Sequence, residues 1–507
     1  MPQSVIVSTI GLLVVYVVWR HVFTYWRLAH IPGPLFARLT NLQRVSWVKS
    51  GRSHEIHHDA HRRYGDVVRF GPNMVAVAHP GAISTIYPMR PGFPKGEFYR
   101  TLMPYTGKGK SLPAIFNTRD EALHKKIKSP VAPLFSLTNV LTLEPFVERV
   151  LHVMFEQLNA RFTESQDTCD LAAWLKYFAF DVMGTLTLSK RYGFLEEGKD
   201  VNNMLDSIWN YMKAAAPMTQ IPWFDELWNK SSWTNIFRGT RGFLILKLVR
   251  DFIEERERDN AEDFSKQHLT DRDMLSRFLE LQKGNPCIPP WATTAWTFSN
   301  VFAGSDSTAV VLCTIWYNLL THPDTMDRLY AELVEREQKH ILTRPFPKWE
   351  EVSELPYLDA CINEAVRLHP PFCLPFERVV PSGGVTIGTE SVYLPEGTIV
   401  GMNPYVTNRH EPTFGEDANE WNPDRWLGKD EQQRKKLEQS VLTFGAGRRI
   451  CLGKHVAMLE MKKLVPALLL NYEFQLLDRS RFRVENFWFF QQRDLGVKVK
   501  KRGLSPN

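Results

Sequence analysis

Residues Phe444 to Gly453 read FGAGRRICLG. The stretch sets one cysteine, Cys451, among glycines and arginines, directly ahead of a long apolar run, LGKHVAMLEMKKLVPALLLNY, that reads as a helix. Gly445, Gly447 and Gly453 carry no Cβ, which lets backbone approach something flat and bulky. A position just before a helix start lowers a thiol's pKa through free N–H groups and the helix dipole, and Arg448 and Arg449 add positive charge. An inert core cysteine needs no such setting. Two chemistries fit. A nucleophile would want a His base and an oxyanion site nearby. A metal-bound thiolate needs only access and hydrogen-bond donors. Arginines beside it could hold the carboxylates of a cofactor by paired charged hydrogen bonds.

The chain has 507 residues and 44% hydrophobic content. A prior of about 150 residues per domain suggests roughly three domains. No Gly/Ser linker, repeat or low-complexity tract divides it, so it reads as one large domain behind an N-terminal segment. The cysteines are Cys169, Cys287, Cys313, Cys361, Cys373 and Cys451, with no CxxC pair. That spacing argues against a zinc ribbon or disulfide scaffold and for a reducing compartment. The net charge of +6 is modest, and no basic array with interleaved aromatics points to nucleic acid.

Met1 to Trp19 carries no charged side chain, about the length that spans a hydrocarbon core as a helix. Arg20, His21, Arg27 and His30 follow. No basic n-region precedes the run and no A-x-A site follows it, which favours an uncleaved anchor over a signal peptide. Positive flanks stay cytoplasmic, so the N-terminus is expected in the lumen and the bulk of the chain in the cytosol. Ile31 to Pro34, IPGP, is a stiff break. The expected division is an anchor over 1–26, a proline-rich hinge over 27–36 and a catalytic domain over 37–507.

VVRFGPNMVAVA (Val67 to Ala78) reads as two strands around a turn. Helical patterns dominate from about 120 to 375, among them TLEPFVERVLHVMFEQL, DSIWNYMKAAA and GFLILKLVRDFIEERERD. Val385 to Asn403 returns to strand and turn chemistry, 404–443 reads as irregular, and the C-terminal ENFWFFQQRDLGVKVKK ends in strand-like alternation. The chain is expected to be mainly α with small β-sheets to one side. HEIHH puts His54, Glu55 and His58 in the H-E-x-x-H pattern of zinc proteases. The helix must end near Tyr64-Gly65, however, and no third ligand follows, so it reads as a polar surface helix. The NKS at Asn229 is a glycosylation acceptor only if lumenal.

FGAGRRICLG resembles, position for position, the haem-binding signature F-x-x-G-x-R-x-C-x-G of the cytochrome P450 superfamily. EAVR (Glu364 to Arg367) resembles its E-x-x-R helix, NPDRW (Asn422 to Trp426) its P-x-R-W meander, and AGSDST (Ala303 to Thr308) its oxygen-activation motif. With the anchor and IPGP the resemblance covers essentially the whole chain. Longer stretches such as FAFDVMGTLTLSKRYGFLEEGKDV look like filamentous-fungal, pisatin demethylase-like members. The resemblance implies that fold, with haem b between a long central helix and the loop of its iron ligand, Cys451. It places Phe444, Gly445, Gly453 and Ala303 against the haem. Arg378 and Arg449 would hold its propionates. His124 and Lys128 stand where the family's W-x-x-x-R usually does, Lys offering a point charge without Arg's fork.

Glu364 and Arg367, three apart, share a helix face. The family joins them to Arg425 in a buried structural triad. The helix from about Pro290 to Leu320 is apolar on nearly all sides and reads as buried. Asp306, Ser307 and Thr308 interrupt it, and the resemblance makes them a proton-delivery groove. The family usually has Thr where this chain has Ser307, so the hydroxyl role falls to Ser307 or to Thr308. Pocket walls implied by the resemblance are Phe298, Phe302, Ala303, the stretch Pro371 to Leu374 with Phe372, and the run Phe487 to Phe490 with Trp488 and Phe489. Lys125, Lys126, Lys128, Arg448 and Lys454 suit the acidic flavin domain of an NADPH–cytochrome reductase.

The resulting expectation is a single-pass monooxygenase of the endoplasmic reticulum membrane. It would insert one atom of O2 into a lipophilic terpenoid, polyketide or alkaloid of fungal secondary metabolism, with electrons from NADPH. Two alternatives are a haem-thiolate isomerase or dehydratase working without external electrons, and a non-catalytic membrane carrier of haem or lipid.

Overall fold

The computed structural model describes residues 2–503 except 91, 108–109, 166, 232–233, 235–243, 259–271 and 389–390. The expected helix GFLILKLVRDFIEERERD is seen over Leu244–Arg258. Its two ends, like Met1 of the expected anchor, lie outside the described residues.

The N-terminal apolar run forms helix α1, Pro2–Arg27. Among the described residues no helix is long and apolar enough to cross a membrane. The hinge after α1 is clamped to the domain. Arg69 donates its N–H to Pro32 O at 2.7 Å, and its guanidinium reaches Tyr25 O at 3.0 Å and Thr24 O at 3.3 Å. Gly33 is required there, because a Cβ would run into the Arg69 carbonyl.

The HEIHH helix, α2, spans Ser53–Tyr64 and ends where expected, but it is not a polar surface helix. His54, His57 and His61 are buried. The His54 ring packs edge-on against Tyr405 and Phe490, and Asn403 meets His57 Nδ1 at 3.0 Å. Among the described residues no three His, Cys, Asp or Glu side chains are grouped to hold a metal.

Strands β1 (Val67–Gly71) and β2 (Met74–Val77) are antiparallel. Helix α3 is Glu121–Lys128, with Asp120 accepting from the N–H of Ala122 and Leu123 at its start. Helix α4 is Leu171–Leu188, and the central helix α5 is Ala292–Thr321. At 30 residues α5 is about 45 Å long, and most of it is buried against α4 and its other neighbours. Three of its hydroxyls bond back four residues: Ser305 to Val301 O at 2.8 Å, Ser307 to Ala303 O at 2.6 Å and Thr314 to Val310 O at 2.9 Å.

Helix α6, Pro356–Leu368, carries the E-x-x-R pair. Strands β3 (Arg378–Val379) and β4 (Ile399–Gly401) complete a sheet of order β1-β2-β4-β3, β2 and β4 being parallel. The segment 404–443 is less irregular than its composition suggests. It contains helix α7, Glu431–Gln439, whose N-cap Asp430 accepts from Gln433 N–H at 2.7 Å; with no apolar stripe to mark it, only that cap betrays it. Helix α8, Lys454–Asn471, follows the cysteine loop. Strands β5 (Tyr472–Leu476) and β8 (Gly496–Lys501) pair around the hairpin of β6 (Arg483–Phe487) and β7 (Phe489–Arg493).

Candidate active site

The cysteine loop closes on itself. Cys451 N–H donates to Phe444 O at 2.7 Å. Gly445 and Gly447 adopt φ of 67° and 61°, which a side chain would strain, and a Cβ on Gly447 would collide with the carbonyls of Tyr87 and Pro88. Cys451 has exposed surface because it lines a cavity; on its other sides protein packs around the sulfur. Burial therefore raises the thiol pKa, and this outweighs the lowering by the N–H groups of Gly453 and Lys454 and by the cations of Lys128 and Lys454. The net direction is opposite to the local pulls. Charge and helix start do pull downward, but desolvation is the larger effect.

The cavity holds about 350 Å³. Phe444, Gly445, Cys451 and Gly453 line it from the loop, and Ala303, Gly304, Ser307 and Thr308 from α5. Phe298, Phe302, Phe372, Trp488 and Phe489 form apolar wall. Trp488 sits at the β6–β7 tip with φ 77°, a strained conformation for a bulky residue, and Cys373 N–H donates to its carbonyl at 3.1 Å. Leu374, expected in the wall, is buried in the apolar core and does not line the cavity: the chain bends at this residue, so it does not share the side of Phe372 as a regular i, i+2 alternation would have it.

One end of the cavity gathers basic groups. Arg378, Arg449, His124 and Lys128 line it as expected, and so does Lys95, which no motif had marked. Arg378 donates to Tyr99 Oη at 3.1 Å. Lys95 donates to the Phe116 carbonyl and lies 3.9 Å from the Tyr99 ring centroid. Burial pushes its pKa well down, helped by Arg378 and Arg449. Lys128 Nζ reaches Arg448 O at 2.9 Å and is lowered by burial, then by Arg449. His124 is pushed to about 3 by burial and by Arg449 and Lys128, and its Nε2 has no partner. Against these groups stands Glu121, which accepts from Arg449 Nη2 at 2.6 Å; Arg449 Nε is left without a partner.

Asp306 is not where the motif suggested. It does not line the cavity. It faces α4, with Oδ1 3.1 Å from Lys176 Nζ and a buried Oδ2 that has no partner. The hydroxyl-bearing Ser307 and Thr308 are the cavity-side members of the motif. Lys176 was invisible to motif reading, because it stands 130 residues before its acid.

The triad is assembled away from the cavity wall. Arg367 meets Glu364 by two bonds, Nε to Oε2 at 2.9 Å and Nη2 to Oε1 at 2.8 Å. Arg425 Nε donates to Oε1 at 3.0 Å and Trp426 Nε1 to Oε2 at 2.9 Å. Arg367 also serves the carbonyls of Asn408 and Glu420 at 2.9 and 3.2 Å, and that of Ala418 at 2.5 Å.

The family model described as Cytochrome P450 matches residues 31–500. This chain belongs to the cytochrome P450 family. Its relatives are fungal. It is 58% identical over 484 residues to cytochrome P450 monooxygenase asR2 of Sarocladium schorii, covering 94% of this chain and 93% of that one. Identity to cytochrome P450 monooxygenase pkfB of Emericella nidulans is 56% over 478 residues, 94% and 92% of the two chains. Cytochrome P450 monooxygenase mpaDE of Penicillium brevicompactum is 55% identical over 491 residues, 96% of this chain but 57% of that longer one. The protein is thus a haem-dependent monooxygenase. The residues present fit a haem. Buried cations outnumber the one acid bonded to them, and such an excess is costly unless an anion joins it. Two propionates would supply that charge, meeting the unpartnered Arg449 Nε and His124 Nε2, while the cysteine sulfur faces the same cavity.

Proposed function

We propose that this P450 oxidises a lipophilic small molecule of fungal secondary metabolism, with electrons passed from NADPH by a flavin reductase. The observation that carries the reading is the cavity: a wall of apolar and aromatic side chains, basic groups gathered at one end, and Cys451 within it. Such a lining suits an apolar ligand. When bound, the haem supplies reductive activation of O2 and insertion of one oxygen atom, its thiolate ligand favouring O–O cleavage. The residues do the rest. Cys451 would supply the sulfur ligand to the haem iron. Arg378, Arg449, Lys95, Lys128 and His124 hold the propionate edge. Phe298, Phe302, Phe372, Trp488 and Phe489 orient the substrate and keep water out.

Ser307 or Thr308 presents a hydroxyl to the cavity, and Asp306, oriented by Lys176, holds the proton supply one layer behind. Oxygen chemistry at the haem would consume protons that an otherwise apolar site must supply, and these two layers would pass them in without a standing column of water. On the reductase side Lys125, Lys126 and Lys454 are exposed, whereas Lys128 turns inward and Arg448 is paired with Glu121 at 3.1 Å. The docking set is thus smaller than the five residues the sequence suggested. The reading also places the chain at the endoplasmic reticulum membrane, with α1 as a single-pass anchor, residues 27–36 as its hinge and 37–507 as a cytosolic catalytic domain. Supporting it, Trp19, Phe23, Trp26, Leu35, Phe36 and Leu39 are exposed around the hinge.

The test is product analysis with purified protein, reductase and NADPH. Oxygenated product should form only with NADPH; product without it would point to an isomerase instead. Reduced protein with carbon monoxide should show the far-red-shifted Soret band of a thiolate-ligated haem, and Cys451→Ala should abolish it. A mutant that keeps the band removes Cys451 from its role.

A further inference from the structure

Helix α4 carries Lys176, Met183 and Thr187, spaced seven and four residues apart and therefore on one helical face. Each meets α5. Lys176 Nζ pairs with Asp306 at 3.1 Å, and Asn300 Nδ2 donates to Thr187 Oγ1 at 2.7 Å. Between them Met183 lies against Gly304, where a Cβ would stand 2.8 Å from both its Sδ and its Cε. The thioether fills the notch that the missing side chain leaves. Asn300, Gly304 and Ser307 follow at i, i+4 and i+7 along the cavity, and Met183 lines the cavity with them. At this level Met183 of α4, packed into the notch at Gly304, completes the wall that α5 supplies beside Ser307.

We propose that Met183 is a specificity-determining residue, setting how much room a lipophilic ligand has beside Ser307. Its unbranched, three-torsion side chain makes it an adjustable wall. The tight Gly304 contact holds that wall back from the cavity. One methylene more or less in an apolar pocket changes discrimination by about tenfold or more. The inference rests on the haem-thiolate reading of the cavity.

The experiment uses the full-length haem-loaded protein, titrated with imidazole and with clotrimazole, each followed by the red shift of the Soret band. Imidazole reports that the haem site is intact; clotrimazole adds three phenyl rings. Met183→Ala should raise the ratio of clotrimazole to imidazole affinity by about tenfold. Met183→Phe should lower it. Gly304→Ala, whose methyl drives the thioether into the cavity, should lower it too. Combining Gly304→Ala with Met183→Ala should restore the ratio to within about threefold of the parent, because the two residues share one space. An unchanged ratio in both Met183 variants, or strictly additive effects in the double variant, overturns the proposal. Absence of any Soret shift with imidazole in the parent would instead sink the cavity reading beneath it. Should Gly304→Ala fail to fold, the opposed Met183 variants still decide.

Discussion

Two buried clusters of charge show opposite design. Around Glu364 both carboxylate oxygens and the guanidiniums of Arg367 and Arg425 are met by partners, and the two residues of the E-x-x-R pair are fully buried. At the cavity end Arg378, Arg449, Lys95, Lys128 and His124 crowd together around one bonded acid, Glu121, with Arg449 Nε and His124 Nε2 left over. A closed network holds the chain together. An open one, with more basic groups than acids to meet them, is built for something that arrives later. The same residue type, a buried arginine, thus has contrary effects on the haem-free fold.

The largest expected effect breaks the closed cluster. Glu364→Gln leaves the buried Arg367 guanidinium without a carboxylate, while Arg425 keeps Asp417 at 2.8 Å, and should cost about 3 kcal/mol, read by chemical denaturation; a loss under about 1 kcal/mol would mean an exposed pair after all. In the open cluster, Arg378→Met should speed haem transfer to apomyoglobin by about tenfold, since a charged hydrogen bond is worth about 1.5–3 kcal/mol. The haem-free protein should not lose stability in step, and a parallel loss would make Arg378 a structural residue like Arg367.

The histidines of α2 offer a third kind of burial, neutral rather than charged. Burial and the cations of Arg409 and Arg52 push His54 to about 3, and burial pushes His61 to about 4, from 6.5. The unfolded chain therefore takes up these protons first as pH falls. Their stabilisation is whole above pH 6.5 and is lost progressively below it, at about 1.4 kcal/mol per pH unit for each ring. His54→Phe keeps the packing on Tyr405 and Phe490 and should flatten the slope of stability between pH 6 and 4 by that amount; an unchanged slope would mean that His54 stays neutral for another reason. The smallest effect belongs to fully solvated charge. Lys125→Glu should slow reduction by the reductase about two- to threefold at low salt and hardly at all at high salt. Equal rates at every ionic strength would take this face out of the docking account.

Much of this was legible in the chain. Gly445 and Gly447 of FGAGRRICLG mark positions where the loop has left-handed φ, and at Gly447 there is also no room for a Cβ. The three-residue spacing of Glu364 and Arg367 puts both on one helix face, and the uninterrupted apolar character of Ala292–Thr321 gives a buried helix. These are local properties, carried by residues close in sequence. The direction in which Asp306 faces was not local. It depends on Lys176 across the α4–α5 contact. Leu374 reads like its neighbours but faces the core. Lys95 belongs to no motif, and only the folded chain brings it beside Arg378 and Arg449.

The thiol of Cys451 shows the same division in one atom. By itself the sequence determined its nearest electrostatics, glycine N–H groups and cations at a helix start, all favouring a thiolate. Only the tertiary structure decided how much protein closes around the sulfur, and that burial acts against these local pulls, raising the thiol pKa. Charge and backbone geometry act over a few residues and can be read from spacing. Desolvation sums over everything packed nearby, wherever it lies in the chain.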